Sequence, residues 1–472
     1  MSPAKLLTII ALQATIACKP QAPAPYGPVP SRAQLEWQQM EYNMFVHFGP
    51  NTFSGAEWGE GTESEDMFCP TELDCRQWAR VASEAGMKGI IITAKHHDGF
   101  CLWPSATSTH TVAQSSWRNG QGDVLKELSD ACREYGLKFG VYLSPWDRNH
   151  PAYGTPEYNE IYRHALREIH GGAYGPVFEQ WFDGACGEGP SGKRQEYDWP
   201  SFWETVRELS PKAIMFSDIG PGCRWGGNEN GHASKTNWSR LNTEGFTPGA
   251  GAPPKDTLQM GNVHGAEWVP AEMDVSIRPG WFWRESENDS VKSLEELQDI
   301  WLSSVGRNSL LLLNVPPDKR GRIHPVDSAR LMEFRAWREE VFGHNLAQDA
   351  KGPSAVLDGN YDTYWVASSS TPTMEITLSE ERTFNLIMLQ EYIPLGQRVS
   401  EFRVEALQNG EWEIIAKGTT IGYKRIIPTP DCSAQRIRIC ITASYERPVL
   451  SEVGLFQQSL RPSQSGTEAQ VY

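Results

Sequence analysis

No stretch of this chain is apolar for long enough to cross a bilayer, no cysteines are spaced as Cys-x-x-Cys pairs, and positive charge is in deficit. Each absence closes off a class of function. The N-terminal apolar run from Leu6 to Ala17, broken by Gln13, falls short of the roughly 20 residues a spanning helix needs. Nine cysteines scattered over 472 residues are too sparse for a disulfide framework or a cysteine-built zinc site. Cys432 and Cys440 could pair across a hairpin, but buried free thiols fit the spacing better. With 43 basic against 59 acidic residues the net charge is −16, so no basic face could dominate the field and hold nucleic acid or an anionic membrane. A neutral partner fits better.

A length of 472 residues exceeds one ordinary core and implies two or three domains. Aromatic residues make up 11%, with 18 tryptophans, enough to fill a core and still leave rings to stack on the apolar faces of sugars.

Met1 to Ala17 reads as a secretory signal with a short basic start and a short apolar centre. Ile16-Ala17-Cys18 resembles the end of a bacterial lipoprotein signal, with Thr15 standing where leucine is usual. Cys18 is then the expected lipidation site, and a lipid there the expected membrane contact. The mature chain is expected in the periplasm or anchored at the outer membrane of a bacterium. The expected organisation is a signal over 1–18, a proline-rich extended tether over 19–32, a catalytic unit over 33–345, a β-sandwich over 346–460 and a flexible tail over 461–472.

Between 33 and 345, short apolar runs alternate with amphipathic stretches of helical period, the pattern of βα repeats around a parallel sheet. Strands are expected at 44–49, 89–94, 139–143, 177–182, 213–217, 275–277 and 309–315, with helices at 75–85, 123–135 and near 294–304. The fold class is α/β, a (β/α)₈-like barrel in which the glycine-rich segment from Gly220 to Pro270 reads as loop.

The polar residues then fall in one place. His47, His96, His97, Asp147, Asp183 and Asp218 sit at or just past the C-terminal ends of expected strands, the face on which barrels build active sites. Asp183 ends the apolar strand Glu179-Gln180-Trp181-Phe182 and precedes a glycine; Glu229 follows in Arg224-Trp225-Gly226-Gly227-Asn228-Glu229-Asn230-Gly231. Two carboxyl groups from different strand ends can split a glycosidic bond, one attacking the anomeric carbon and one protonating the leaving oxygen. The adjacent pair His96 and His97 could suggest a metal, but neighbours in extended chain point to opposite sides and chelate poorly without a third ligand. Hydrogen bonding to a substrate suits them better. Tyr142 could be packing or a donor to the substrate.

The motifs Val46-His47-Phe48-Gly49, Glu57-Trp58-Gly59, Ala94-Lys95-His96-His97-Asp98-Gly99-Phe100, Tyr142-Leu143-Ser144-Pro145-Trp146-Asp147, Trp181-Phe182-Asp183-Gly184-Ala185 and Arg278-Pro279-Gly280-Trp281-Phe282 occur in this order over residues 33–345. In that order and spacing they resemble glycoside hydrolase family 29, the retaining α-L-fucosidases. The resemblance implies Asp183 as nucleophile, forming a covalent fucosyl-enzyme, with His47, Glu57, Trp58, His96, His97, Tyr142, Trp181 and Trp281 around the fucose. The segment around Glu229 is similar to the branch that cleaves α-1,3 and α-1,4 linkages on branched, Lewis-type glycans, which implies Glu229 as acid/base; Glu57, Glu60 and Asp218 are weaker candidates. That retaining route needs the carboxyl groups about 5 to 5.5 Å apart, and needs no metal or organic cofactor. Trp225 beside Glu229 could desolvate it and raise its pKa.

Beyond Asp349 the pattern changes to short alternating strands, at 375–378, 384–390, 402–407, 412–416 and 436–441. With the loop Leu357-Asp358-Gly359-Asn360-Tyr361-Asp362-Thr363-Tyr364-Trp365, this part resembles discoidin-like, family 32 carbohydrate-binding β-sandwiches, which sometimes bind a galactoside and often hold a structural calcium ion. Asp358 and Asp362 offer oxygen ligands for it; a purely structural domain buttressing the barrel is the other reading. The partners expected are fucosylated oligosaccharides or glycoconjugates. Alternatives are a fucosidase of broad linkage specificity and a non-catalytic glycan-binding surface lipoprotein.

Overall fold

The computed structural model describes residues 22–459, so the expected signal with Cys18, and the tail from Arg461, lie outside the described residues. Eight parallel strands close into a barrel in chain order: β1 (Tyr42–Val46), β2 (Gly89–Lys95), β3 (Lys138–Leu143), β4 (Val177–Trp181), β5 (Ile214–Ser217), β6 (Cys223–Trp225), β7 (Ala271–Ser276) and β8 (Ser309–Asn314), with β8 pairing back to β1. Seven of the eight were expected from apolar runs. The exception is β6, which lies inside the segment read as loop: it is three residues long and follows β5 after five residues, without a crossover helix. Gly222 allows this tight return, since a Cβ there would stand 2.5 Å from the Met215 nitrogen.

The helices start where side-chain caps precede amphipathic runs. Asp74 accepts from Gln77 N before helix Cys75–Glu84, Asp123 accepts from Lys126 N before Val124–Glu134, and Ser293 with Glu296 forms a capping box before Leu294–Ser303. Their buried faces and the outward faces of the barrel strands make one large core, while Phe45, Ile91, Tyr142, Trp181, Phe216, Leu310 and Leu312 fill the barrel interior. The N-terminal end of the barrel is stoppered by helix Arg32–Gln38, whose Trp37 indole donates to Glu179 Oε2 at 2.8 Å and whose Gln34 amide donates to Gly222 O at 2.8 Å and Trp268 O at 2.7 Å. No helix among the described residues is long and apolar enough to cross a membrane.

The second unit is an antiparallel sheet domain of six strands: β9 (Trp365–Val366), β10 (Thr373–Glu391), β11 (Val399–Gln408), β12 (Glu411–Gly418), β13 (Arg425–Ser444) and β14 (Val449–Phe456), ordered β9-β14-β10-β13-β11-β12. The segments expected separately at 375–378 and 384–390 are two arms of β10, joined across a register shift between Thr377 and Arg382. The first arm alternates buried and exposed residues; the second is buried on both faces. Ile387 and Leu389 enter the domain's own core, whereas Leu386 and Met388, with Ile426 and Phe456, join the core of the barrel. One sheet thus serves two cores. Cys432 and Cys440 lie on the same strand, β13, so they do not face each other across a hairpin, and both are free thiols.

The proline-rich segment differs from the expected tether. From Ala24 on it is docked: Ala24 O accepts from Arg398 Nη2 at 2.7 Å, Tyr26 N donates to Leu395 O at 3.0 Å, and the Tyr26 ring stacks on Tyr445 and lies against the Arg240 guanidinium. Proline fixes an extended path, and here that path is a strap across both domains.

Because four large apolar side chains of the sheet are shared with the barrel core, each worth about 1.5–3 kcal/mol on burial, calorimetry is expected to show one unfolding transition for both domains. Met388→Asp, which buries a charge at that seam, is expected to lower the midpoint and split the transition into two; two transitions in the unmodified protein would contradict the shared core.

Candidate active site

Asp183 stands two residues past the end of β4. Tyr142 donates its hydroxyl to Asp183 Oδ2 at 2.9 Å and the Ala185 backbone N–H donates to Oδ1 at 2.7 Å, so both oxygens are held while the side chain keeps a quarter of its surface open. Gly184 makes the close turn possible: a Cβ there would lie 2.6 Å from Asp218 Oδ2 and from Gly249 N.

Three histidines from the ends of β1 and β2 surround this carboxylate. His47 is buried, and both its backbone N–H and its Nδ1 face Asn314 Oδ1, at 3.2 and 2.9 Å. Asn314 Nδ2 is committed to Ser276 Oγ and Trp281 O, at 2.9 and 2.8 Å. This network assigns the amide orientation, so His47 Nδ1 carries the hydrogen and Nε2 the lone pair. Burial pushes the His47 imidazole down to about 3, which keeps it neutral. His97 Nδ1 lies 2.8 Å from Ser144 Oγ, whose hydrogen goes to Trp146 O, so Nδ1 is again the donor; Nε2 faces Asp183 Oδ2 at 3.7 Å. That gap is too wide for a direct hydrogen bond and leaves room for a hydroxyl contacting both. His96 stacks on Tyr142 with its Nδ1 buried and unpartnered. Burial lowers the pKa of both His96 and His97.

Glu229 lies in the loop after β6, at the open mouth of the barrel. Glu229 is exposed to solvent, but the protein packed around its carboxyl partly desolvates it and raises the pKa; the nearby charge of Asp183 adds to this, while the Trp281 indole and Lys255 pull the other way. The result is a carboxyl that holds its proton to higher pH than an ordinary glutamate, at the same barrel mouth as the doubly hydrogen-bonded Asp183. The Trp281 ring is 5.0 Å from that of His47; the Trp58 ring, 57% exposed, stands edge-on to His97 and Trp146 at the rim.

The other carboxyl groups are committed elsewhere. Glu57 accepts from Trp281 N at 2.6 Å and pairs with Arg284, so it fixes Trp281. Glu60 pairs with Arg148 at 2.7 Å with its side chain outward. Asp218, pushed up to about 6 by burial, accepts from Gly249 N at 2.5 Å and ties two loops together. Burial alone would raise the Asp147 carboxyl, but Lys95 at 2.8 Å holds it below its ordinary value behind His97. Trp181 lies inside the barrel under Tyr142, stacked on Phe216 at 3.8 Å and donating to Glu272 Oε1 at 2.9 Å.

Several supporting residues were not anticipated: Asn314, Ser144, Ser276, Glu179 and Glu272. Asn314 was within reach, being the polar end of the run Ser309-Leu310-Leu311-Leu312-Leu313, the same signal that marked His47. Glu179, Cys223 and Glu272 place ligand atoms within 4.8 Å of one another inside the barrel. Each carboxyl already accepts an indole N–H, and burial pushes both up, Glu179 to about 7, so a shared proton satisfies the pair.

Asn314→Ala would leave the His47 donors unpartnered and free its ring. The expected result is a kcat/KM lower by about 100-fold with a melting loss of about 1–3 kcal/mol; unchanged kinetics would detach His47 from the site.

Known proteins resemble this chain in sequence and in fold. A family model described as alpha-L-fucosidase matches residues 20–341, and one described as F5/8 type C domain matches residues 341–453. The chain is 41% identical over 465 residues to alpha-L-fucosidase 1 of Arabidopsis thaliana, covering 94% of this chain and 90% of that protein. The crystal structure of SpGH29 superposes with a TM-score of 0.88 at 38% identity, over 93% of this chain and 100% of that one. A Ruminococcus gnavus GH29 fucosidase, solved in complex with fucose, superposes with a TM-score of 0.85 at 33% identity, over 93% and 97% of the two chains.

Proposed function

The chain belongs to the alpha-L-fucosidase family, family 29 of the glycoside hydrolases, with a C-terminal F5/8 type C domain, and on that premise we propose that it removes α-1,3- or α-1,4-linked fucose from branched, Lewis-type glycans with retention of configuration. The observation that carries the proposal is the asymmetry of two carboxyl groups at one barrel mouth: Asp183 held by two hydrogen-bond donors, and Glu229 in the open loop with its pKa raised above that of an ordinary glutamate.

In the first step Asp183 attacks the anomeric carbon while Glu229 gives its proton to the leaving oxygen, so the glycosidic bond breaks as the ester bond to Asp183 forms. In the second, Glu229, now a carboxylate, takes a proton from water, the water oxygen bonds to the anomeric carbon and Asp183 leaves. His47, His96, His97 and Tyr142 present neutral donors and acceptors suited to the hydroxyls of a neutral sugar. Trp58 and Trp281 offer aromatic faces for the C5 methyl group, Glu57 acts by fixing Trp281, and Trp181 acts from below through Tyr142.

Export under a lipoprotein-type signal, with lipidation at Cys18, would place the enzyme at a bacterial envelope surface where such glycans arrive. In the sheet domain, the loop 357–365 and Glu452 fit a calcium ion. Glu452 Oε2 is buried without a partner, and burial together with the charge of Asp358 pushes its carboxyl up to about 7. An ion between Asp358 and Glu452, with Asp362 on the same loop, would relieve that repulsion through hard oxygen ligands.

Wild type is expected to release fucose from a Lewis-type trisaccharide faster than from a simple aryl α-L-fucoside. Glu229→Gln is expected to lower kcat/KM on the trisaccharide by about 100-fold or more and to remove the basic limb of its pH profile, which falls as pH rises through the raised Glu229 pKa. Rapid turnover of both sugars by both proteins would defeat the linkage and acid/base assignments. For the ion, a chelator is expected to lower the melting temperature and added calcium to restore it, with Glu452→Gln abolishing both responses; a melt indifferent to chelator would reject the site.

A further inference from the structure

The loop that carries Glu229 is rooted in Arg224, and Arg224 is gripped through contacts that begin in the other domain. Arg224 is fully buried and directs its donors to carbonyl oxygens: Nε to Leu258 O at 2.8 Å, Nη1 to Val269 O, and Nη2 to Asn237 Oδ1 at 2.9 Å and Trp238 O at 3.1 Å. A buried cation held by dipoles keeps its place only while each dipole is fixed.

Asn237 is held from both domains: its side-chain Nδ2 donates to Arg307 O at 2.8 Å and Ser309 Oγ at 2.9 Å on the barrel side, and its backbone is fixed by the sheet domain. Its backbone N–H donates to Thr420 Oγ1 at 2.9 Å, and its carbonyl accepts from Gln397 Nε2 at 2.9 Å. Gln397 Oε1 in turn accepts from Ser239 N at 2.9 Å, so one amide side chain pairs with backbone 237 and 239 as a neighbouring strand would. Thr419 and Arg425 hold the flanking segment, through Thr236 Oγ1 at 2.9 Å and Lys235 O at 3.0 Å. Asn237, Gln397 and Thr420 are all buried, so water cannot replace a lost partner.

From Arg224 to Glu229 there is little slack. Gly226 N donates to Glu272 O at 2.9 Å, Asn228 closes the loop on His232 O at 2.9 Å, and Asn230 bridges to Val275. A displacement at the root is carried to the carboxyl.

We propose that the sheet domain is part of the general-acid machinery: Thr420 and Gln397 are positioning residues that, through Asn237 and Arg224, set where the Glu229 carboxyl meets the leaving oxygen. This rests on Glu229 being the acid/base residue. The domain then contributes to turnover whether or not it binds sugar.

General-acid assistance matters for a sugar leaving group and hardly at all for dinitrophenolate, which departs without a proton. The test compares kcat/KM on a Lewis-type trisaccharide and on 2,4-dinitrophenyl α-L-fucoside for full-length Thr420→Val, Gln397→Leu, Thr420→Ser and Glu229→Gln, with thermal melts for each. Thr420→Val and Gln397→Leu are expected to lower the trisaccharide value by about 10- to 100-fold, to leave the dinitrophenyl value within about twofold of wild type, and Thr420→Ser to restore the former. Equal losses on both substrates, or none on either, would overturn the proposal while Glu229→Gln still separates them. If Glu229→Gln itself depresses both substrates alike, the acid/base assignment falls, and the proposal with it.

Discussion

The hydrogen bond from Tyr142 to Asp183 is the contact around which the site is organised. A phenol buried beside a carboxylate is pushed far from ionising, first by desolvation and then by the neighbouring charge, so it remains a donor at any working pH. The donor that orients Asp183 is therefore insensitive to pH. The bond in turn depends on a column that runs down the barrel: Tyr142 on Trp181, Trp181 donating to Glu272, Glu272 beside Glu179, and Glu179 held by Trp37 of the stopper helix. Burying two carboxyl groups in a barrel core is costly unless a proton and donors are shared, and here the indoles supply the donors. The same arrangement seats the aromatic floor of the site.

The pocket walls carry polarity with little charge. Desolvation keeps His47, His96 and His97 neutral, and Lys95 cancels Asp147 behind them. Asn314 and Ser144 each accept from a histidine Nδ1, which leaves Nε2 of His47 and His97 as an acceptor. A set of neutral acceptors and donors beside one carboxylate binds hydroxyl groups without drawing in cations or repelling an uncharged substrate, in keeping with the acidic composition of the chain.

Seven barrel strands and most of the ring of ionisable residues were legible because each strand ends in a polar residue after an apolar run, and a (β/α)₈ barrel converts that local pattern into a common location. The sixth strand was not legible. Cys223–Trp225 is too short to show a period, and the five residues before it hold no helix to announce a new repeat. Supporting residues were hidden for a different reason. Glu179 and Glu272 look like solvent-facing charges in sequence, and only closure of the barrel turns them inward. Glu57 shows the converse: its motif marked it for the substrate, while the fold spends its carboxyl on Arg284 and the Trp281 backbone.

The missing helix between β5 and β6 also gives the contacts between the two domains a structural role. In an ordinary repeat, a helix packed outside the barrel fixes the strand ends and the loops above them. Here the chain leaves β6 into a long excursion, from Gly226 to Pro270, whose regular structure is confined to short pieces: the antiparallel pair Arg240–Leu241 with Glu267–Trp268, the 3₁₀ turn Gly249–Gly251 and the helix Lys255–Met260. Short pieces of this kind give the Glu229 loop little regular structure of its own to lean on. The sheet domain supplies what is lacking, with buried side chains of Gln397, Thr420 and Arg425 bonded to its backbone and a sheet face merged with the barrel core. With Glu229 as the proposed acid/base residue, a loop without its own helix is then consistent with a precise active site, because contacts from the neighbouring domain add to those of the barrel in holding its root.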